Sequence, residues 1–366
     1  MRLFPFVLGL VIFIYACGGE HTPLAVNQTT EAISPVSIVN KGIYLCLSGK
    51  MGNETVTMHL YLLNNKCKGS YYNHSWERPK YLSGTYTQLD TFQIEVNEDH
   101  QDKNIKLWKQ QDGYAGVMID QKNQEKPIYF SLEKKSLEGD YIGELDSLKI
   151  AQKQIARFEF AAFLPTGNDK IASLIRDSIK NVLKMGNEME GSMASVLKQT
   201  KALYFQTSRE AVGKDTNDMG AFSSELIMDI KLFYQYKNWL IFSNDQYTYT
   251  GGAHGYGYTQ FLNFDLETGK QLFLADIIAM DHEREVLKLL ENKFRTDNQL
   301  SPAQPLTEGG LFDDRIPSLS PNFYLTSKGI YFEYAPYEIG PYAMGSIGIF
   351  LSFKQLKDYL LVKVPD

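Results

Sequence analysis

The chain has 366 residues, 43% of them hydrophobic and 22% charged, with a formal net charge of -6. That balance excludes a disordered chain, which is poorer in apolar side chains, and a multi-span membrane protein, which is far richer. The acidic sign without a local basic cluster argues against a nucleic-acid partner. Three cysteines are too few for a disulfide scaffold or a multi-Cys zinc module.

From Leu3 to Ala16 the side chains are apolar or nearly so. A bilayer-spanning helix needs about 20 such residues and a signal-peptide core about 7 to 15, so residues 1–16 read as a signal peptide. Ile14-Tyr-Ala-Cys17-Gly resembles the lipobox of bacterial lipoproteins. The resemblance implies that Cys17 is acylated and that the protein sits in the cell envelope, at the outer membrane facing the periplasm. Two acyl chains suffice for stable anchoring, so no basic membrane-binding surface is needed. Residues 17–40, rich in Thr, Ser, Asn, Glu and Pro, read as a flexible tether.

The stretch 41–135 alternates apolar and polar residues in short segments separated by glycine and polar turns. Gly42–Leu47, Thr55–Leu63, Lys68–Tyr72, Tyr81–Tyr86, Phe92–Val96, Ile105–Gln110, Tyr114–Ile119 and Pro127–Leu132 are predicted strands. In the second of these, Val56, Met58, Leu60 and Leu62 recur at every other position and define one face. The expected fold is an antiparallel β-meander, barrel or sandwich, followed by an α+β domain with an antiparallel sheet and packed helices. Cys46 and Cys67 sit in this first domain, and the oxidising compartment leaves a disulfide between them open.

A charged stretch from Glu133 to Gln154 reads as a domain boundary, with the second unit at 151–245 and the third at 246–366. A strand is expected at Arg157–Leu164, then helices at Asp169–Met185 and Gly191–Ala211, each with an apolar stripe at helical spacing. Ser223–Tyr234 and Trp239–Tyr249 are expected to form a β-hairpin.

Four ordered motifs follow. They are Thr250-Gly-Gly-Ala-His254, Asn263-Phe-Asp-Leu-Glu-Thr-Gly-Lys270, Leu274-Ala-Asp-Ile277, and Tyr334-Ala-Pro-Tyr-Glu-Ile-Gly-Pro-Tyr-Ala-Met-Gly345. Together they resemble the C-terminal domain shared by RsiV-type anti-sigma factors and PdaC-type peptidoglycan deacetylases, and residues 151–245 resemble its PdaC-type companion domain. In the RsiV type this domain binds lysozyme, so the resemblance implies a partner of that kind, or peptidoglycan or another glycan. The anti-sigma role itself does not carry over, because the residues before Cys17 read as signal peptide.

Gly251, Gly252, Gly255 and Gly257 surround His254 and Tyr256, where glycine supplies positive φ or close approach. Either this segment is a binding surface, or it is a tight crossover whose histidine satisfies a local carbonyl. Tyr337, Glu338 and Tyr342 lie among Pro336 and Pro341, a combination suited to a rigid recognition loop or to a structural corner in which Glu338 caps backbone amides. No nucleophile elbow, Cys/His pair or close His pair is visible, so catalytic residues, metal and cofactor are all expected to be absent. The leading expectation is a non-catalytic binding protein. The alternatives are a cell-wall hydrolase using Asp265, Glu333 and Glu338, or a small-molecule carrier acting through the N-terminal β-domain.

Overall fold

A computed structural model describes residues 38–364 apart from 52, 98–102, 112, 120–123, 133–136, 151–152 and 213–222. The signal peptide, Cys17 and most of the tether lie outside the described residues. The first described strand, β1 (Ile38–Lys41), leads into a closed eight-stranded antiparallel barrel. Its strands are β2 (Ile43–Met51), β3 (Glu54–Leu63), β4 (Lys66–Tyr72), β5 (Lys80–Thr87), β6 (Thr91–Asn97), β7 (Lys103–Gln110), β8 (Gly113–Ile119) and β9 (Glu125–Leu132). Pairing of β2 with β9 closes it. Asn64 and Asn65, both at positive φ, make the tight β3–β4 turn. The alternating set read from the sequence points inward: Val56, Met58, Leu60 and Leu62 pack with Tyr71, Phe92, Ile105 and Phe130 and fill the interior.

The barrel is inserted between neighbouring strands of a second sheet. After it come β10 (Gly139–Ile150), β11 (Lys153–Pro165), helices α1 (Lys170–Leu183) and α2 (Met193–Val212), then β12 (Ser224–Tyr236), β13 (Trp239–Tyr249), β14 (Tyr256–Asp265) and β15 (Lys270–Leu272). These form one seven-stranded sheet ordered β1-β10-β11-β12-β13-β14-β15. It is mixed rather than purely antiparallel. The two helices carry the chain back over the sheet, so β12 runs parallel to β11 while the other pairs are antiparallel.

The C-terminal part adds α3 (Leu274–Ile277), α4 (Glu283–Asp297), a three-stranded sheet of β16 (Phe323–Leu325), β17 (Gly329–Tyr334) and β18 (Ile347–Ser352), and α5 (Phe353–Leu356). Two asparagines tie this sheet to the edge of β14. Asn263 Nδ2 donates to Phe323 O at 2.8 Å while its Oδ1 accepts from Leu325 N at 3.1 Å. Asn322 Nδ2 donates to Thr259 O at 2.7 Å and its Oδ1 accepts from Phe261 N at 2.8 Å. Asn263, prominent in the sequence motif, therefore joins sheets.

Two expectations change. Within the charged stretch taken for a boundary, residues 139–150 form the long strand β10, and because β13 and β14 pair, strands from the expected second and third units share one sheet. Cys46 and Cys67 are not joined. Cys46 lies on the outer wall beside Tyr44 and Tyr61, whereas Cys67 points into the barrel, and β3 separates their strands. Cys46 is in register with His59 and Cys67 with Leu62, so their Cα atoms are separated by two strand spacings of about 4.8 Å each and by three residues along the strand, beyond disulfide reach. Burial pushes the Cys67 thiol up to about 12.

The outer wall of β3 and β4 docks on β12. Tyr61 Oη donates to Leu232 O at 3.0 Å and Ser70 Oγ to Phe233 O at 2.5 Å. Beside them Lys68 meets Asp229 at 3.0 Å, and Lys231 lies 2.8 Å from Asp229 and 2.9 Å from Asp245.

Candidate functional site

The two segments singled out by sequence, 251–257 and 334–342, meet. Gly251 and Gly252, with φ of 96° and 94°, turn the chain out of β13 in a conformation that a side chain would strain. At Gly255 the constraint is space, since a Cβ would lie 2.3 Å from the Tyr247 ring. Gly255→Ala is expected to cost about 1–3 kcal/mol, measurable by urea unfolding, because that ring would have to move.

The second segment leaves β17 with Tyr334 Oη donating to Ser318 O at 2.9 Å. Glu338 accepts from Ala335 N at 2.8 Å, the amide-capping role anticipated for it. Tyr337 holds φ at 69°, an uncommon state for a residue with a side chain, and its ring is 52% exposed.

His254 stacks on Tyr342 with ring centroids 3.9 Å apart, and Tyr337 stacks on Tyr342 at 5.5 Å. Each ring is also held by polar contacts. Tyr342 Oη donates to Gly255 O at 2.8 Å and Tyr256 Oη to Pro336 O at 3.3 Å. His254 Nδ1 lies 3.1 Å from Gly255 O; a carbonyl only accepts, so Nδ1 carries the proton and Nε2 faces Tyr337 Oη at 3.5 Å. His254 thus satisfies a local carbonyl and also takes part in a partly exposed cluster with Tyr337 and Tyr342.

Two carboxyls lie near these rings. Burial raises Glu338, against the hydrogen bond from Ala335, and burial raises Tyr256, with Glu338 adding to it. Burial pushes Glu333 up to about 7, although Arg78 from the barrel and Ser346 pull it down. Arg78 itself donates to Tyr331 Oη at 2.9 Å. A carboxyl raised in the folded state contributes stability below its unfolded value near 4.5, and that contribution is lost as pH rises through about 7. Glu333→Gln should therefore gain about 3 kcal/mol on wild type between pH 5 and pH 8 in denaturant titrations.

Asp265 does not join this site. It accepts from Glu267 N and Thr268 Oγ1, both at 2.9 Å, and closes the turn after β14. Tyr256 starts the same strand, so the two are about 30 Å apart at 3.4 Å per residue. Among the described residues no group of three His, Cys, Asp or Glu could hold a metal ion. Sequence reading passed over Asn244, Gln246 and Gln260, whose amides share one sheet face in register. Polar residues at every second position of a strand were the available signal.

Residues 271–354 match the family model described as Protein of unknown function (DUF3298). The match includes the 334–342 loop and leaves out the glycine crossing. A crystal structure of a DUF3298 family member from Bacteroides fragilis is similar with 25% identity and a TM-score of 0.54, covering 63% of this chain and 95% of that one. A DUF3298 family protein from Pseudomonas aeruginosa is similar with 16% identity and a TM-score of 0.47, covering 62% of this chain and 95% of that one. No curated protein matches. The chain carries a DUF3298 domain at residues 271–354, and the two solved structures named above are of DUF3298 proteins.

Proposed function

We propose that the protein is a lipoprotein of the bacterial cell envelope, anchored through Cys17 at the outer membrane and facing the periplasm, that binds the glycan of peptidoglycan without cleaving it. The observation that carries this reading is the meeting of His254, Tyr337 and Tyr342 from two distant segments in one partly exposed, backbone-braced cluster. Ring faces suit the C–H faces of sugars, and the Tyr hydroxyls and the His edge suit their hydroxyls. Held rings also lose little conformational freedom on binding. The motif resemblance to the RsiV/PdaC-type domain supports an envelope partner and makes a lysozyme-like protein the competing occupant. The test is retention of the detergent-solubilised full chain on purified peptidoglycan and on immobilised lysozyme. Retention on peptidoglycan is expected; retention on lysozyme alone would replace this reading.

One observation favours a second reading as a hydrolase. Glu333, held near 7 and close to Glu338, has the acidity a general acid needs at neutral pH. Mass analysis of cell-wall fragments after incubation decides it, since new products would establish cleavage and an unchanged profile would reject it. The carrier reading finds little support, because large side chains such as Tyr71, Phe92 and Phe130 fill the barrel interior.

A further inference from the structure

The barrel docks on the second sheet through β3 and β4, and strands β7 to β9 form its opposite wall. Side chains on that wall alternate between the interior, where Leu107, Tyr114, Ile128 and Phe130 pack, and the outside. Two of the outward ones are large aromatics. Trp108 on β7 is 41% exposed and Tyr129 on β9 is 67% exposed. They stand in one register row, Trp108 opposite Ala115 and Ala115 opposite Tyr129. Partners in register share a face, so both rings rise from the same side with only a methyl group between them. Two strand spacings set their Cα atoms about 9.6 Å apart. Neither ring stacks on another or lies under a cation among the described residues. Single exposed apolar residues need no explanation, but two in register on one face make a patch that points to a partner.

Around the rings the wall is polar and locally basic. Lys50 on β2 is the next residue of the row, opposite Tyr129, and Lys106 lies two residues from Trp108 on the same face. Both lysines are exposed, and neither enters an ion pair among the described residues. The outward carboxylates Glu95 and Glu125 are two rows away, beside Asn104 and Ile119. Nearer ones are turned elsewhere. Glu54 accepts from Trp76 Nε1 at 3.4 Å, and Asp90 acts on the inward-facing Tyr114. Thr91 and Gln93, opposite Trp108 and Lys106, complete a rim of hydroxyl and amide groups.

Ring faces suit the C–H faces of pyranoses, and such a rim suits their hydroxyls. A lipid surface would call for an apolar rim instead. The ring spacing is close to the length of a disaccharide, and each ring has one ammonium beside it. The wall therefore repeats one platform and one cation at the interval of a disaccharide repeat. We propose that this wall binds an acidic polysaccharide carrying one carboxylate per disaccharide, stacked on Trp108 and Tyr129 and met by Lys106 and Lys50. The surface lies on a different domain from the His254–Tyr337–Tyr342 cluster and does not depend on the peptidoglycan reading.

Calorimetric titration of the detergent-solubilised full chain with a hyaluronan octasaccharide tests it. The carboxyl-reduced octasaccharide keeps the sugar faces without the charge, and polyglutamate keeps the charge without the faces. The acidic octasaccharide is expected to bind about ten-fold or more tightly than either. Trp108→Ala and Tyr129→Ala, both at exposed positions, are each expected to weaken it about five-fold or more with Tm unchanged. Lys50→Gln combined with Lys106→Gln should abolish the preference over the carboxyl-reduced form. Tyr337→Asn should leave this binding unchanged, so the wall and the ring cluster stand or fail separately. No binding of the octasaccharide, equal binding of either comparison, or wild-type binding by both ring variants overturns the proposal. Loss of binding in Tyr337→Asn would also overturn it, by placing the acidic chain at the ring cluster.

Discussion

Lowering the pH from 7 to 3 is expected to remove about 4 kcal/mol of stability through His59 alone. His59 is 1% exposed, at the seam where the barrel wall meets the second sheet. Its Nδ1 lies 2.8 Å from Tyr44 Oη and its Nε2 3.0 Å from Tyr72 Oη. A neutral imidazole donates once and accepts once, so both tyrosines are served without a charge. Burial lowers its protonation from the ordinary 6.5 to about 3. The unfolded chain takes up this proton below 6.5 and the folded chain does not until about 3. The stability is therefore fully present above 6.5 and is lost as pH falls toward 3, with the stated magnitude following from that difference. His59→Gln can still donate to one tyrosine and accept from the other but binds no proton. Urea unfolding across this range should show a shallower acid limb for the variant; parallel limbs would assign the acid sensitivity elsewhere. Glu333 acts with the opposite sign between 4.5 and 7, so the comparison is cleanest on a Glu333→Gln background.

Asp229→Ala is expected to cost about 3–5 kcal/mol, the range for removing one partner of a buried ion pair. Asp229, 2% exposed, accepts from Tyr141 Oη at 2.9 Å and meets Lys68 and Lys231. Burial alone would raise its carboxyl, but Lys231 and Lys68 outweigh that and lower it. Alanine leaves the Lys231 ammonium, whose side chain is 4% exposed, with Asp245 as its remaining carboxylate. Adding Lys231→Met should recover most of the loss, because Asp245 and Lys68 are partly exposed and can turn to water. A single-variant cost under 1 kcal/mol, or no recovery in the double variant, would contradict this.

The parts legible in the sequence were those whose side chains alternate cleanly. All eight barrel strands follow from that period, and α1 and α2 from their apolar stripes. Strand β10 was hidden because it carries Asp140, Glu144 and Asp146, which look like linker charges. In the fold Asp146 is 1% exposed, and Lys201 of α2 lies 2.9 Å from it and also reaches Glu144. A partner fifty or more residues away cannot be inferred from local pattern. The same holds for the parallel β11–β12 pair, which depends on how a helical connection crosses. At the site, glycine and proline spacing marked both converging segments, but not that His254 stacks on Tyr342. The amide strip was missed because its members look like solvated strand positions until register places them together.

The most direct measurement is retention of the full chain on purified peptidoglycan, comparing wild type with Tyr337→Asn, since asparagine tolerates the positive φ while removing the ring. Binding at micromolar concentration, reduced ten-fold or more in a variant whose Tm is unchanged or higher, is the expected result. Absence of binding by wild type, or equal binding by the variant, would contradict it.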